Sequence, residues 1–205
     1  MSDIVSNNDI NLQFYTPLVK KYGNDHRAIG WKSKYSQQIR FTTFCDNYNF
    51  SKKSVLDVGC GVGDFYHYLK ALKKDVSYIG IDSCELMVKA AKKAYPSGQF
   101  YTKWLEEYQP KIRFDCVVGS GIFALRVPDQ KNYFLRQLQC AYSLASEILM
   151  VNILTTETPK KEQFDCFYYY DPVDLLLLKK LTPSPQCINI IDGYLKGDAT
   201  IVVKR

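Results

Sequence analysis

Histidine is nearly absent: the 205-residue chain has only His26 and His67, and its seven cysteines (Cys45, Cys60, Cys84, Cys116, Cys140, Cys166, Cys187) stand far apart with no CxxC pair. A zinc site needs closely spaced thiolates or imidazoles, so no metal site is expected, and the odd, scattered set reads as reduced cytosolic thiols used mainly as small core residues. Long apolar runs are missing too. The longest nearly uncharged stretches, Ile148 to Leu154 and Leu175 to Leu178, fall far short of the roughly 20 residues that cross a bilayer. The start MSDIVSNNDINLQF is polar and acidic where a secretory signal has a basic segment and an apolar run. A cytoplasmic protein without a membrane partner is the expectation. There is no internal repeat, low-complexity tract or flexible linker. With 46% hydrophobic and 23% charged residues, the composition is ordinary for one globular domain with some addition. Lys plus Arg exceed Asp plus Glu by 27 to 21, a net charge of +6, too sparse to coat a nucleic acid.

From Ser54 onward, short apolar runs alternate with longer amphipathic segments. The runs are Val55 to Val58, Val76 to Ile81, Phe114 to Gly119 and Ile148 to Leu154; between them Asp64 to Lys73, Cys84 to Ala94 and Asp129 to Ala145 carry apolar residues at helical spacing. Continuous apolar runs suit strands buried on both faces, and the alternation predicts parallel strands joined by crossover helices in a three-layer α/β sandwich. Near the end, Asp171-Pro172 opens a Leu-rich helix to about Leu181, and the segments Cys187 to Leu195 and Thr200 to Val203 are separated only by Lys196-Gly197-Asp198. So short a link predicts an antiparallel hairpin. Residues 1–50 stand apart, with a helix start at Thr16-Pro17, a stop at Gly23, and a second helix from about Ser33 to Cys45 with Tyr35, Ile39 and Thr42 on one stripe. They are expected to form an N-terminal helical cap that is not an independent domain, and residues 51–205 the ligand-binding domain.

The most informative stretch is Val55-Leu56-Asp57-Val58-Gly59-Cys60-Gly61-Val62-Gly63-Asp64-Phe65, which runs from the first strand into the first crossover helix. Glycine at such a turn permits positive φ and lets a ligand approach the backbone. A dinucleotide site prefers GxGxxG with its pyrophosphate at the helix N-terminus, whereas Asp57 and Asp64 flank this loop with negative charge. They suit a cationic or zwitterionic ligand. Asp82 ends the second strand 19 residues beyond Gly63, where a carboxylate can accept both hydroxyls of a ribose. A nucleoside with a free ribose diol and a positively charged tail matches S-adenosylmethionine, with its methionyl amino group toward Asp57 and its sulfonium over the turn.

At these residues the sequence resembles the class I S-adenosylmethionine-dependent methyltransferases, whose first motif is an acidic residue and then GxGxG after strand one. The resemblance runs from about Ser54 to Arg205. It implies a Rossmann-like, seven-stranded mixed sheet in the order 3-2-1-4-5-7-6 and S-adenosyl-L-homocysteine as product. The whole chain, including GWKSKYSQQIRF at 30–41 and YDP at 170–172, also resembles small stand-alone bacterial and phage methyltransferases of unassigned substrate. The cofactor set implied is Asp57, Gly59, Cys60, Gly61, Gly63, Asp82, Ser83, Trp104, Ser120 and Gly121. Two departures stand out. The segment Phe100 to Leu105 lacks the acidic residue that the family places on the adenine, so Trp104 is assigned to cover it. Val118-Gly119-Ser120-Gly121-Ile122-Phe123 lacks the Asn/Asp-Pro-Pro-aromatic motif of enzymes that methylate nucleic-acid amino groups.

Blander readings stand beside these. The glycine loop alone is also compatible with a tight turn or a nicotinamide site, and Asp82 alone with a helix N-cap. Cys60 contributes its backbone rather than a nucleophilic thiol. The six Lys-Lys doublets read as solvated helix ends more than as a phosphate stripe. Of Tyr168, Tyr169 and Tyr170, one is expected at the substrate mouth, with Tyr170 the candidate, since aromatic faces hold cations. In the cap, Trp31 and Arg40 are candidate substrate-binding residues. Arg40 either grips the cofactor carboxylate or belongs, with Arg27, Gln37 and Gln38, to an exposed salt-bridging face. The expected reaction is in-line methyl transfer to a small-molecule acceptor, which needs alignment and exclusion of water more than a base; no general base is nominated. The rivals are a nucleic-acid or protein acceptor, which is less favoured, and a non-methyl alkyl transfer or cyclisation. Oligomeric state is not readable.

Overall fold

The computed structural model describes residues 7–205. Strands β1 (Lys53–Val58), β2 (Val76–Asp82), β3 (Gln99–Thr102), β4 (Phe114–Gly119), β5 (Ala145–Leu154), β6 (Cys187–Ile191) and β7 (Asp198–Lys204) form one sheet in the order β3-β2-β1-β4-β5-β7-β6. The first five positions in that order are parallel, β7 runs antiparallel to β5, and β6 antiparallel to β7. The Rossmann-like sandwich with a C-terminal antiparallel hairpin is therefore the observed fold. Helices α1 (Asn7–Tyr22), α2 (Lys34–Asn47), α3 (Asp64–Ala71), α4 (Glu85–Ala94) and α5 (Gln130–Leu144) surround it.

Adjacent strand residues serve opposite layers, because side chains alternate across a sheet. Leu56 joins Val117, Leu149 and the α5 residues Phe134 and Leu138 on one face. Its neighbour Val55 joins Cys116, Ile148, Phe44 of α2, Phe65 of α3 and Val88 of α4 on the other. A third cluster, Val19, Ala28, Val62, Cys84 and Met87, fastens α1 and the 3-10 turn His26–Ile29 over the carboxyl ends of the strands. Burial on both faces explains why these strands read as unbroken apolar runs.

Three local expectations change. The first helix begins at Asn7, well before Thr16, and keeps Pro17 inside it; one missing N–H is tolerated where Val19 anchors the helix to the third cluster. The second is capped by Ser33, whose Oγ accepts the Ser36 N–H at 3.0 Å. Its inward face is Gln37, Arg40, Phe41 and Phe44, not the Tyr35, Ile39 and Thr42 stripe, and Tyr35 is exposed. Apolar counting misplaces this face because its two longest polar side chains are buried and partnered. The Leu-rich segment is a 3-10 turn, Asp174–Lys180, with Leu178 and Leu181 buried at the three-residue spacing that 3-10 geometry favours.

Candidate active site

β1 is flanked by β2 on one side and β4 on the other, and connections that leave in opposite directions open a crevice beyond the strand ends. A cleft of about 400 Å³ lies there. Loops after β1 to β5 form its floor, and α1, the 26–29 turn and residues 30–36 form its roof.

The glycine loop supplies the floor. Gly59, Gly61 and Gly63 have φ of +67°, +54° and +89°, a region that favours glycine. A Cβ on Gly59 would sit 2.4 Å from Ile122 Cγ2. The loop is tied to β2: the Gly59 and Cys60 N–H groups donate to the Ile81 carbonyl, and the Gly61 N–H donates to Asp82 Oδ2 at 2.9 Å. Asp82 Oδ1 accepts the Cys84 N–H at 2.8 Å. Each carboxylate oxygen thus uses one lone pair on the backbone and keeps another, and the residue lines the cleft. Burial raises its pKa, and the two backbone donors oppose that rise.

Asp57 is buried and lines a separate small pocket with Gly59, Cys60, Asp64 and Ser120. Burial first, and then the charges of Asp82 and Asp64, push its carboxyl up to about 7, against a hydrogen bond donated by the Tyr78 hydroxyl. Asp64 accepts from Gln37 Nε2 at 2.7 Å. The Cys60 thiol is raised by burial and packs where a Gly80 Cβ would lie, so it serves packing. Gly63 lies behind the loop, against Tyr95 and Phe100. Ser83, Trp104, Ser120 and Gly121 all line the cleft. Ser120 Oγ donates to Asn152 Oδ1 at 2.8 Å, and Asn152 Nδ2 donates to Thr200 Oγ1 at 2.7 Å, so the serine proton is committed inward.

Trp31 and Arg40 meet at the cleft wall, with the guanidinium 4.3 Å from the indole ring centre. Arg40 is buried, not part of an exposed face, and its Nε donates to Asp198 Oδ1 at 2.8 Å. Tyr170, expected at the substrate mouth, lies in the core instead. It is 1% exposed, its hydroxyl accepts from Gln130 Nε2 at 2.8 Å, and its ring packs on Phe134 and Tyr168. Its neighbour Tyr169 lines the cleft. Alternation in this extended segment sends successive side chains to opposite sides, and the sequence alone does not fix which is which. His67 stacks on Tyr95, with centroids 5.3 Å apart, and among the described residues no histidine lines the cleft.

Sequence reasoning missed Asp198, Asn152 and the pair Lys32 with Glu162, whose Nζ to Oε2 distance of 3.0 Å joins the roof to the turn after β5. Asp198 had one legible signal, an acid entering a strand with no exposed face.

Residues 55–141 match a family described as a methyltransferase domain. Over 155 residues the chain is 30% identical to 235L of Invertebrate iridescent virus 6, named as a methyltransferase, covering 71% of this chain and 58% of that one. It is 26% identical over 156 residues to Rv1506c of Mycobacterium tuberculosis, similarly named, covering 74% and 93%. Among solved structures, magnesium protoporphyrin IX methyltransferase from Synechocystis with bound S-adenosylmethionine overlays with a TM-score of 0.69 at 18% identity over all of both chains. The DhpI complex overlays with a TM-score of 0.73 at 14% identity, covering 100% and 99%; these two likenesses concern the fold.

Proposed function

We propose that the chain is a class I S-adenosylmethionine-dependent methyltransferase, which binds S-adenosylmethionine in the cleft and transfers its methyl group to a small-molecule acceptor. The observation that carries this reading is Asp82. Its carboxylate is pinned by the Gly61 and Cys84 N–H groups at the cleft wall, with one lone pair on each oxygen left for a diol. The bare backbone of Gly59 and Gly61 admits a ligand beside it. Ser83 and Trp104 border the nucleoside, Ser120 and Gly121 lie where donor and acceptor meet, and Asp57 and Ser120 face the methionyl end.

The bound donor supplies an activated methyl carbon and a good leaving group. The chain contributes alignment, through the rigid loops after β1 and β4, and exclusion of water, through the roof of residues 26–36. The Lys32 to Glu162 bridge closes the roof against the far loop, which favours an acceptor of limited size over a duplex. The test is ligand-induced thermal stabilisation, which grows with concentration for a ligand that binds the folded chain. S-adenosylmethionine and S-adenosylhomocysteine are expected to raise the melting temperature and NAD not to. The reverse order refutes the reading.

A further inference from the structure

Besides Asp82 and the glycine loop, the cleft is lined by an aromatic set, Trp31, Tyr35, Phe164, Phe167 and Tyr169. Two further acids of the lining are already engaged: Asp198 holds Arg40, and Glu162 holds Lys32 at 3.0 Å. Lys196 lines the same cleft. It is exposed, feels Glu162 only through space, and has no ion-pair partner among the described residues. Two lysines therefore share one carboxylate, and one positive charge is left over. Among the described residues the cleft holds no histidine, Glu162 and Asp198 are tied to cations, and Asp82 is tied to two backbone N–H groups, so no side chain there is poised to remove a proton.

These facts select the nucleophile. We infer that the acceptor is a flat apolar carboxylic acid, held through its carboxylate by Lys196 and Lys32 and methylated on a carboxylate oxygen. This rests on the methyl-transfer reading above. The oxygen lone pair forms the bond to the methyl carbon as the carbon–sulfur bond breaks, with its electron pair passing to sulfur. A carboxylate and a sulfonium become a neutral ester and a neutral thioether, and no proton is left over. An ammonium acceptor would be repelled by the spare lysine charge, and an amine or a phenol would release a proton where nothing stands ready to take it.

The probes are three bicyclic compounds of one shape, 2-naphthoate, 2-naphthylmethylamine and 2-naphthol, titrated calorimetrically into the full chain saturated with S-adenosylhomocysteine. Naphthoate is expected to bind about tenfold more tightly than the other two, the scale of one partly desolvated charge contact. Lys196→Glu is expected to abolish that preference while leaving S-adenosylhomocysteine affinity unchanged, and Lys32→Ala to weaken it. With methyl-labelled donor, the label transferred to naphthoate is expected to be released as methanol by mild alkali, as an ester requires. No binding of naphthoate, tighter binding of the amine or the naphthol, a preference that survives Lys196→Glu, or alkali-stable label overturns the inference. Failure of S-adenosylhomocysteine itself to bind overturns instead the reading on which it rests.

Discussion

Arg40 and Asp198 lie 158 residues apart in the chain and form a buried ion pair, with side chains 5% and 6% exposed. The pair joins α2 to the first residue of β7 at the wall of the cleft, and Trp31 caps the guanidinium. Removing one partner strands the other charge in a site that water does not reach. Arg40→Ala is expected to cost about 3 kcal/mol in urea unfolding, whereas Arg40→Met combined with Asp198→Leu recovers most of it, because a well-packed apolar pair often matches a buried ion pair. A double variant as unstable as the single one contradicts the assignment. Lysine is not expected to substitute for Arg40, since it lacks the planar fork that stacks on Trp31 and reaches Asp198.

Under the proposed function Asp82 has two tasks, and substitution separates them. Asp82→Ala removes the acceptor for the Gly61 and Cys84 N–H groups, so the unliganded protein is expected to lose about 1 to 3 kcal/mol. The diol contact is additional: S-adenosylhomocysteine affinity by calorimetry is expected to fall by about ten- to a hundredfold. Equal affinity with lower stability leaves Asp82 a loop tether only.

Adjacent tyrosines give the cleanest contrast. Tyr170→Phe keeps the ring in its contacts with Phe134 and Tyr168 and loses only the Gln130 hydrogen bond, so a stability loss of about 1 kcal/mol with unaltered ligand affinity is expected. Tyr169→Ala, at the cleft wall, is expected to leave cofactor affinity intact and to weaken acceptor binding. Unfolding curves and calorimetric titrations of the two variants test this, and the opposite pattern restores Tyr170 to the site.

The sheet was legible because its signals are local. Runs such as Val55 to Val58 and Ile148 to Ile153 are buried on both faces, and that leaves short unbroken apolar stretches between longer amphipathic segments. The glycine loop and Asp82 were legible for a related reason, since positive φ demands glycine and the separation along the chain fixes the carboxylate at the end of β2. The roof was not legible. Gln37 and Arg40 face inward because Asp64 and Asp198 meet them, and partners 27 and 158 positions away leave no periodic trace. The rest of the cleft lining was hidden for the same reason, assembled from residues 31–35, 162–169 and 195–198, each unremarkable alone.

Asp57 makes the site sensitive to pH near neutrality. Its carboxyl titrates near 7 in the folded protein against an ordinary 3.8, chiefly because it is buried. Between those values the folded chain holds a proton that the unfolded chain has released, so this group lowers stability as pH rises from about 4 to 7, and the total is of order 4 kcal/mol at one pKa unit per 1.4 kcal/mol. Asp57→Asn is expected to flatten that part of the stability profile and to leave the variant relatively more stable at pH 8. Binding responds in the opposite sense. A ligand ammonium beside Asp57 is satisfied only by the ionised form, so S-adenosylhomocysteine affinity is expected to rise through pH 6 to 7.5 and to level once Asp57 is fully ionised. Calorimetric titrations at five pH values on the native chain and on Asp57→Asn check both signs together: the native affinity climbs, the variant's stays flat and low. A climb of the same size in the variant assigns the titration to some other group.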